Sequence, residues 1–297
     1  MSCLVMAMSS QTFACPISQY NLDSEINRVR QNKFLSLPLN AEENITEEEF
    51  NSVVYRIKEY YTPIFKELGK DLNVYSDWSF PMNNAFATQD KNGTSVYFFG
   101  LFTKNKYMSK DAFLFVACHE IGHHLGGFPK NNFLPWASVE GQADYFAASK
   151  CYRELLENDS ENAKAESLVL PESIKSQCKT QYTDEDQYRI CLRAARAAED
   201  VGKLIDYMNT QTEKDEVILL QPEPAAVAET SSKHPAPICR AIGILQAALC
   251  NRPSDIAIDD KDETIGACHE KNGDVVGNRV HCWFKPSDGQ TLTWTKN

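Results

Sequence analysis

The chain has 297 residues, 42% of them hydrophobic and 24% charged, which is enough apolar material for the core of one large or two small domains and unlike the composition of a disordered chain. Its 30 basic residues stand against 41 acidic ones, a net charge of -11 with no basic block, and this argues against nucleic acid or an anionic membrane as a partner. No apolar run reaches the roughly 20 residues needed to span a bilayer, so no integral membrane segment is expected.

At the N-terminus, Leu4 to Met8 is apolar and Thr12-Phe13-Ala14 places small residues where a signal peptidase reads. Residues 1–14 therefore read as a signal segment cleaved before Cys15, although the first basic residue is Arg28. A lipid anchor on Cys15 is the alternative fate, with Thr12 standing where a lipobox usually has leucine. Residues 15–45 form an N-terminal extension, 46–252 the main domain and 253–297 a cysteine-containing tail.

Thr46-Glu47-Glu48-Glu49 is a capping box that opens a helix to Leu68, and Gly69 ends it. Leu72 to Trp78 alternates as a strand, Pro81 to Ala87 reads as a loop, and Asn92-Gly93 is a turn leading into a strand over Ser95 to Phe102. Ser109 caps the next helix, which carries Ala112, Phe113, Phe115 and Val116, then His119 to Leu125, and stops at Gly126-Gly127. Further helices are expected at 138–157, 184–208 and 238–250, followed by a hairpin between Gly266 and Phe284 around Asn272-Gly273.

Ten cysteines, seven of them after residue 150, read as disulfides formed in an oxidising compartment, with buried free thiols as the alternative. Cys15 and those seven make eight, enough for four bridges, while Cys118 is expected to stay unpaired as core packing. His269 and His281 adjoin Cys268 and Cys282, which suggests a Cys/His zinc site; neighbours on a strand face opposite ways, so a Cys268–Cys282 bridge across the hairpin is the preferred reading.

His119-Glu120-Ile121-Gly122-His123 fits H-E-x-x-H: residues four apart share a helix face, so two imidazoles can converge on one ion with Glu120 projecting beside them. Glu140 follows His123 by 17 positions on a second helix and can supply a third ligand. Asp144, one turn on, can accept a hydrogen bond from a ring nitrogen of His119 or His123 that does not face the metal. Two histidines and a glutamate with a position left open are the donor set of a catalytic zinc site, one Zn2+ per chain. His124 points off that face, toward a supporting or surface position.

Asn84-Ala85-Phe86-Ala87, the run Gly93 to Leu101 ending in Gly100-Leu101, the H-E-x-x-H helix and Glu140-x-x-x-Asp144 resemble the gluzincin metallopeptidase family that includes the CaaX prenyl endopeptidase, HtpX and BepA. Lys233-His234-Pro235 followed by Arg240 is similar to the family's His-Pro segment and downstream arginine. The resemblance covers roughly residues 46 to 245 and makes 46–252 a metallopeptidase domain. It implies an α+β, zincin-like fold: a small mixed or antiparallel sheet on the H-E-x-x-H helix, with a helical C-terminal half. His234 reads by this resemblance as a donor to the oxyanion, or else as a structural histidine.

These readings converge on a zinc endopeptidase in which zinc activates water and polarises the carbonyl and Glu120 is the general base. Val96 to Phe99 is expected to be an edge strand that pairs with an extended peptide, with Asn84, Ala85, Val96, Tyr97 and Phe98 binding substrate. The partner is a peptide or protein, the location extracytoplasmic, periplasmic or secreted, and the oligomeric state is left open. The rivals are a zinc amidase acting on cell-wall peptides and a non-catalytic zinc-fold envelope assembly or chaperone module; Glu120 argues against the second, since a scaffold needs no general base.

Overall fold

A computed structural model describes residues 15–16, 23–24, 26–27, 45–91, 93–212 and 216–287; the expected signal cleavage at residue 14 lies outside them. The chain is α+β. Helix α1 (Glu47–Glu67) opens with the capping box, Glu49 Oε2 accepting from the Thr46 backbone 2.8 Å away, and it buries Phe50, Val53, Ile57, Tyr61 and Phe65. Those positions recur every three or four residues, the spacing that lays one apolar stripe onto a core.

The sheet contains β1 (Cys15–Pro16), β2 (Leu72–Asp77), β3 (Ala85–Asp90) and β4 (Gly93–Phe99), in the order β1-β3-β4-β2. β3 and β4 form an antiparallel hairpin closed at Asp90 and Gly93, whereas β2 pairs parallel with β4 and β1 parallel with β3. Two expectations fail here. The hairpin that closes at Asp90 and Gly93 has a first arm that begins in residues expected to belong to a loop: Pro81 and the asparagines suit a loop only as far as Asn84, after which Ala85, Phe86 and Ala87 are buried strand, and Asn92 of the expected turn lies outside the described residues. The strand expected from Ser95 to Phe102 ends at Phe99, because Gly100–Thr103 turns into a short helix, α2.

Helix α3 (Lys110–Leu125) starts at Ser109, whose hydroxyl accepts from the Ala112 backbone, and its residues from Ala112 to His124 are buried. It packs on β3 and β4 and crosses α4 (Glu140–Phe146), which runs on through a π-helical turn (Ala147–Cys151) into α5 (Tyr152–Leu156). The crossing is close because Gly122 has no side chain: a Cβ there would stand 2.7 Å from the Ala143 carbonyl oxygen. α6 (Glu172–Gln181), α7 (Glu185–Thr210) and α8 (Pro237–Ala248) complete the helical half. α6 has no counterpart in the sequence reading; its signal was Pro171 before the first turn and Ile174 and Cys178 four apart, both buried.

The tail is not a hairpin. Residues 266–284 form turns around a 3-10 turn at Glu270–Asn272, and their backbone groups pair elsewhere: Val227 N–H donates to His281 O, Ser231 N–H to Trp283 O, and Cys268 N–H to the Tyr145 hydroxyl. Trp283 seats on α4 at Gly141, where a Cβ would run into the indole. No described helix is long and apolar enough to cross a membrane.

Among the described residues four disulfides are formed: Cys118–Cys151, Cys178–Cys191, Cys239–Cys282 and Cys250–Cys268. Cys118 is therefore not free, and Cys268 and Cys282 take different partners because no hairpin aligns them; the side chain of Cys15 lies outside the described residues. Four bridges fit a chain that matures in an oxidising compartment. None of these eight cysteines should be alkylated without reductant. A Cys118→Ala/Cys151→Ala variant should lose about 2–4 kcal/mol, roughly 5–10 °C in melting temperature. Alkylation of native protein at Cys118 would overturn the assignment.

Candidate metal centre

The chemistry gathers where α3 and α4 cross. His119 and His123, one turn apart on α3, and Glu140, the first residue of α4, are buried, and one ligand atom from each lies within 4.8 Å of the others. They form a group that could hold a metal ion. The separation of His119 Nε2 from Glu140 Oε2 is 3.4 Å. Tetrahedral ligands at bond lengths of about 2.0–2.1 Å stand about 3.3 Å apart, so this pair already has the spacing of a coordinated one.

Both imidazoles are held through the nitrogen that leaves Nε2 facing inward. His119 Nδ1 lies 2.7 Å from Asp144 Oδ1, and His123 Nδ1 lies 3.0 Å from the Ser138 carbonyl. Ser138 reaches that place because the loop between the helices is tied back on α3: its N–H donates to His123 O and its hydroxyl to Gly127 O. The role of Ser138 was not legible, since a backbone carbonyl carries no residue-type signal. Asp144 is clamped in turn by Arg240 of α8, with Nε 2.7 Å from Oδ2 and Nη2 2.8 Å from Oδ1, a bidentate fork.

The fit to a cation rests on atoms that the protein itself leaves unsatisfied. His123 Nε2 and both carboxylate oxygens of Glu120 are buried without a hydrogen-bond partner. Orphaned polar atoms are rare in native interiors, and here they cluster where an ion and a polar ligand would satisfy them. Burial pushes Glu120 up to about 8, with Glu140 adding to the effect and the His119 charge opposing it. Burial also lowers His123 well below the usual imidazole range, aided by His119, so it stays neutral and ready to ligate.

His119 goes the other way. Burial disfavours its charge, but the Asp144 carboxylate, its hydrogen bond and Glu140 outweigh that and raise the ring to about 9 in the metal-free site. Metal can bind only after Nε2 gives up that proton. Zinc affinity should therefore rise about tenfold per pH unit between pH 7 and 9 and level off above, when titrated against a competing chelator with the chelator's own pH dependence removed. An affinity flat over that range would show that the ion displaces no proton from His119.

The other sequence candidates divide. His234 reaches the centre, its Nε2 3.1 Å from Glu140 Oε2, and stays partly exposed. His124 is neither at the surface nor beside the ligands: it is buried, stacked on Trp136 at 4.8 Å, with Nε2 3.4 Å from Ser95 O, and burial lowers it to about 3. The expected edge strand needs correction. β4 is an interior strand flanked by β3 and β2, so Val96 to Phe99 offers no free edge. Val96 and Phe98 have no exposed surface, Phe98 packing edge-on to Phe113, and they are core. Ala85 is equally buried and Asn84 nearly so, with Asn84 Oδ1 accepting from Ala85 N–H; Tyr97 alone of the set is half-exposed, stacked on Tyr75. His269 and His281 form no metal group with cysteine; they lie near Glu263 and Glu270.

Compared with known proteins, the chain matches no family model, no curated protein and no solved structure.

Proposed function

We propose that the chain is a zinc-dependent peptide hydrolase of the gluzincin type. The observation that carries this reading is the joint presence of a buried His-His-Glu ligand group and, in the same helical turn, a buried carboxylate, Glu120, that is neither a ligand nor hydrogen-bonded. A purely structural zinc site closes its coordination with protein donors and needs no adjacent base.

His119, His123 and Glu140 would hold the ion, which when bound polarises a peptide carbonyl and makes water acidic enough to attack at neutral pH. Glu120 takes the proton from the attacking water and delivers it to the leaving nitrogen, so no covalent enzyme intermediate is required. Its elevated proton affinity suits the second transfer, and the nearby cation would bring it down far enough for the first. Asp144 fixes the ring of His119 and Arg240 fixes Asp144. His234, partly in solvent beside Glu140, would donate to the carbonyl oxygen as charge develops on it.

The test is metal analysis of purified protein together with digestion of an unbiased peptide library, run beside Glu120→Gln. One zinc per chain and cleavage products that disappear in the variant are expected. A metal-free protein, or a library cut equally by both, would overturn the reading.

A further inference from the structure

Sheet order decides where a peptide could pair. β2 and β3 flank β4, and of these two it is β3 that packs on the metal helix α3, whereas β2 packs on α1. An extended peptide joining the sheet beside the metal must therefore align with the outer side of β3, along Phe86 and Ala87. That side is taken by the chain itself: β1 runs parallel to β3 with Cys15 opposite Phe86 and Pro16 opposite Ala87, and it also lies against α3.

We propose that the segment carrying Cys15–Pro16 is an intramolecular competitor for the peptide-binding edge, so that substrate must displace it before reaching the metal. This rests on the peptidase reading and adds to it a mode of regulation. A second N-terminal residue meets the same strand: Ile26 packs against the cluster of Met82, Phe86 and Phe99 on the sheet face away from α3, beside Phe80 and Tyr97. Within the described pairing Pro16 has no N–H to donate, so Cys15 and Pro16 offer fewer hydrogen bonds to this edge than a longer extended peptide would. Tethering to the same chain sets an effective concentration of β1 at this edge, which a free peptide must exceed. A weak strand at that concentration raises the apparent Kd and KM for peptides without altering the chemical step.

The register supplies the experiment. In the full chain, Phe86→Cys places a thiol opposite Cys15, and oxidation should join the two and lock β1 on the edge; Phe86→Cys/Cys15→Ser carries the same loss of core volume but cannot lock. A third variant, Ile26→Asp, should loosen the segment while leaving every residue of β3 and of the metal group unchanged. The readouts are disulfide mapping by mass spectrometry, zinc content, and the affinity of a fluorescently labelled peptide hydroxamate, which needs the metal and the edge but no turnover. The locked protein is expected to bind this probe at least tenfold more weakly than its unlockable counterpart at equal zinc content, and Ile26→Asp to bind it several-fold more tightly than wild type. Failure of Cys15 to bridge to the introduced thiol, or a bridged protein that binds the probe as well as the unlockable one, overturns the inference. Equal probe binding beside intact library cleavage would reject the competitor and leave the peptidase reading standing. Absence of cleavage by wild type would reject the peptidase reading by itself, and absence of probe binding by every variant would reject the edge and the competitor with it.

Discussion

Glu120→Gln should keep its zinc and lose about 10²–10⁴-fold in peptide hydrolysis, the usual contribution of a positioned general base. The substitution preserves shape and removes only the ability to accept a proton. Because both Glu120 oxygens are buried without partners, the amide breaks no hydrogen bond within the protein, and melting temperature should hold or rise. Since Glu120 is not one of the three converging ligands, metal affinity should stay within a few-fold of wild type. The loss should fall on kcat at each pH, not on KM, because the group acts on the reacting atoms. The acid limb of the wild-type profile should lie below about 8, the value that burial gives this carboxyl before a cation acts on it. A variant that loses zinc would make Glu120 a ligand, and one that retains activity would move the base elsewhere.

What was legible in the sequence follows the range of the interaction. The His119–His123 pair and the capping box at Thr46 depend on positions three or four apart, where helix geometry leaves little choice. Glu140 and Asp144 were legible one step further, because both belong to one turn of a second helix. Strand order was not: whether β4 is interior or edge depends on β2, which begins 21 residues before β4 does, and whether β3 is interior or edge depends on β1 from the N-terminal region. The cysteines show the same boundary. Cys118 immediately precedes the first ligand and Cys151 lies on the π-turn that continues the helix carrying Glu140, so the crossing that assembles the ligands also brings these two sulfurs together. Reading Cys118 as solitary core packing overlooked that a single helix crossing fixes both. In the tail, Asn272-Gly273 does turn the chain, with Gly273 at φ +81°, yet no ladder forms because the flanking backbone groups are drawn to Glu223, Gln246 and Tyr145.

Arg240→Leu should be the most damaging single change away from the reacting atoms. Arg240 is 1% exposed, and its guanidinium both grips Asp144 and stands 3.2 Å from His119 Nδ1. Burial alone would raise Asp144, but the Arg240 charge, with that of His119, holds it below the usual carboxylate range. Removing one member of such a buried pair strands the other charge, a loss of about 3–5 kcal/mol. That corresponds to roughly 6–15 °C in melting temperature for a chain of this size. Zinc affinity should fall as well, by about ten- to a hundredfold, because Asp144 loses the fork that aims it at His119. The two effects separate in Arg240→Leu/Asp144→Asn. With no stranded carboxylate, the double variant should recover much of the stability lost by Arg240→Leu, while zinc affinity stays low because His119 still lacks a charged partner. Thermal melts and chelator titrations of the two single variants and the double variant form a closed cycle. If the double variant is no more stable than Arg240→Leu, the stranded charge is not what the fold loses, and the contribution of Arg240 lies in packing between α8 and the helices that carry the ligands.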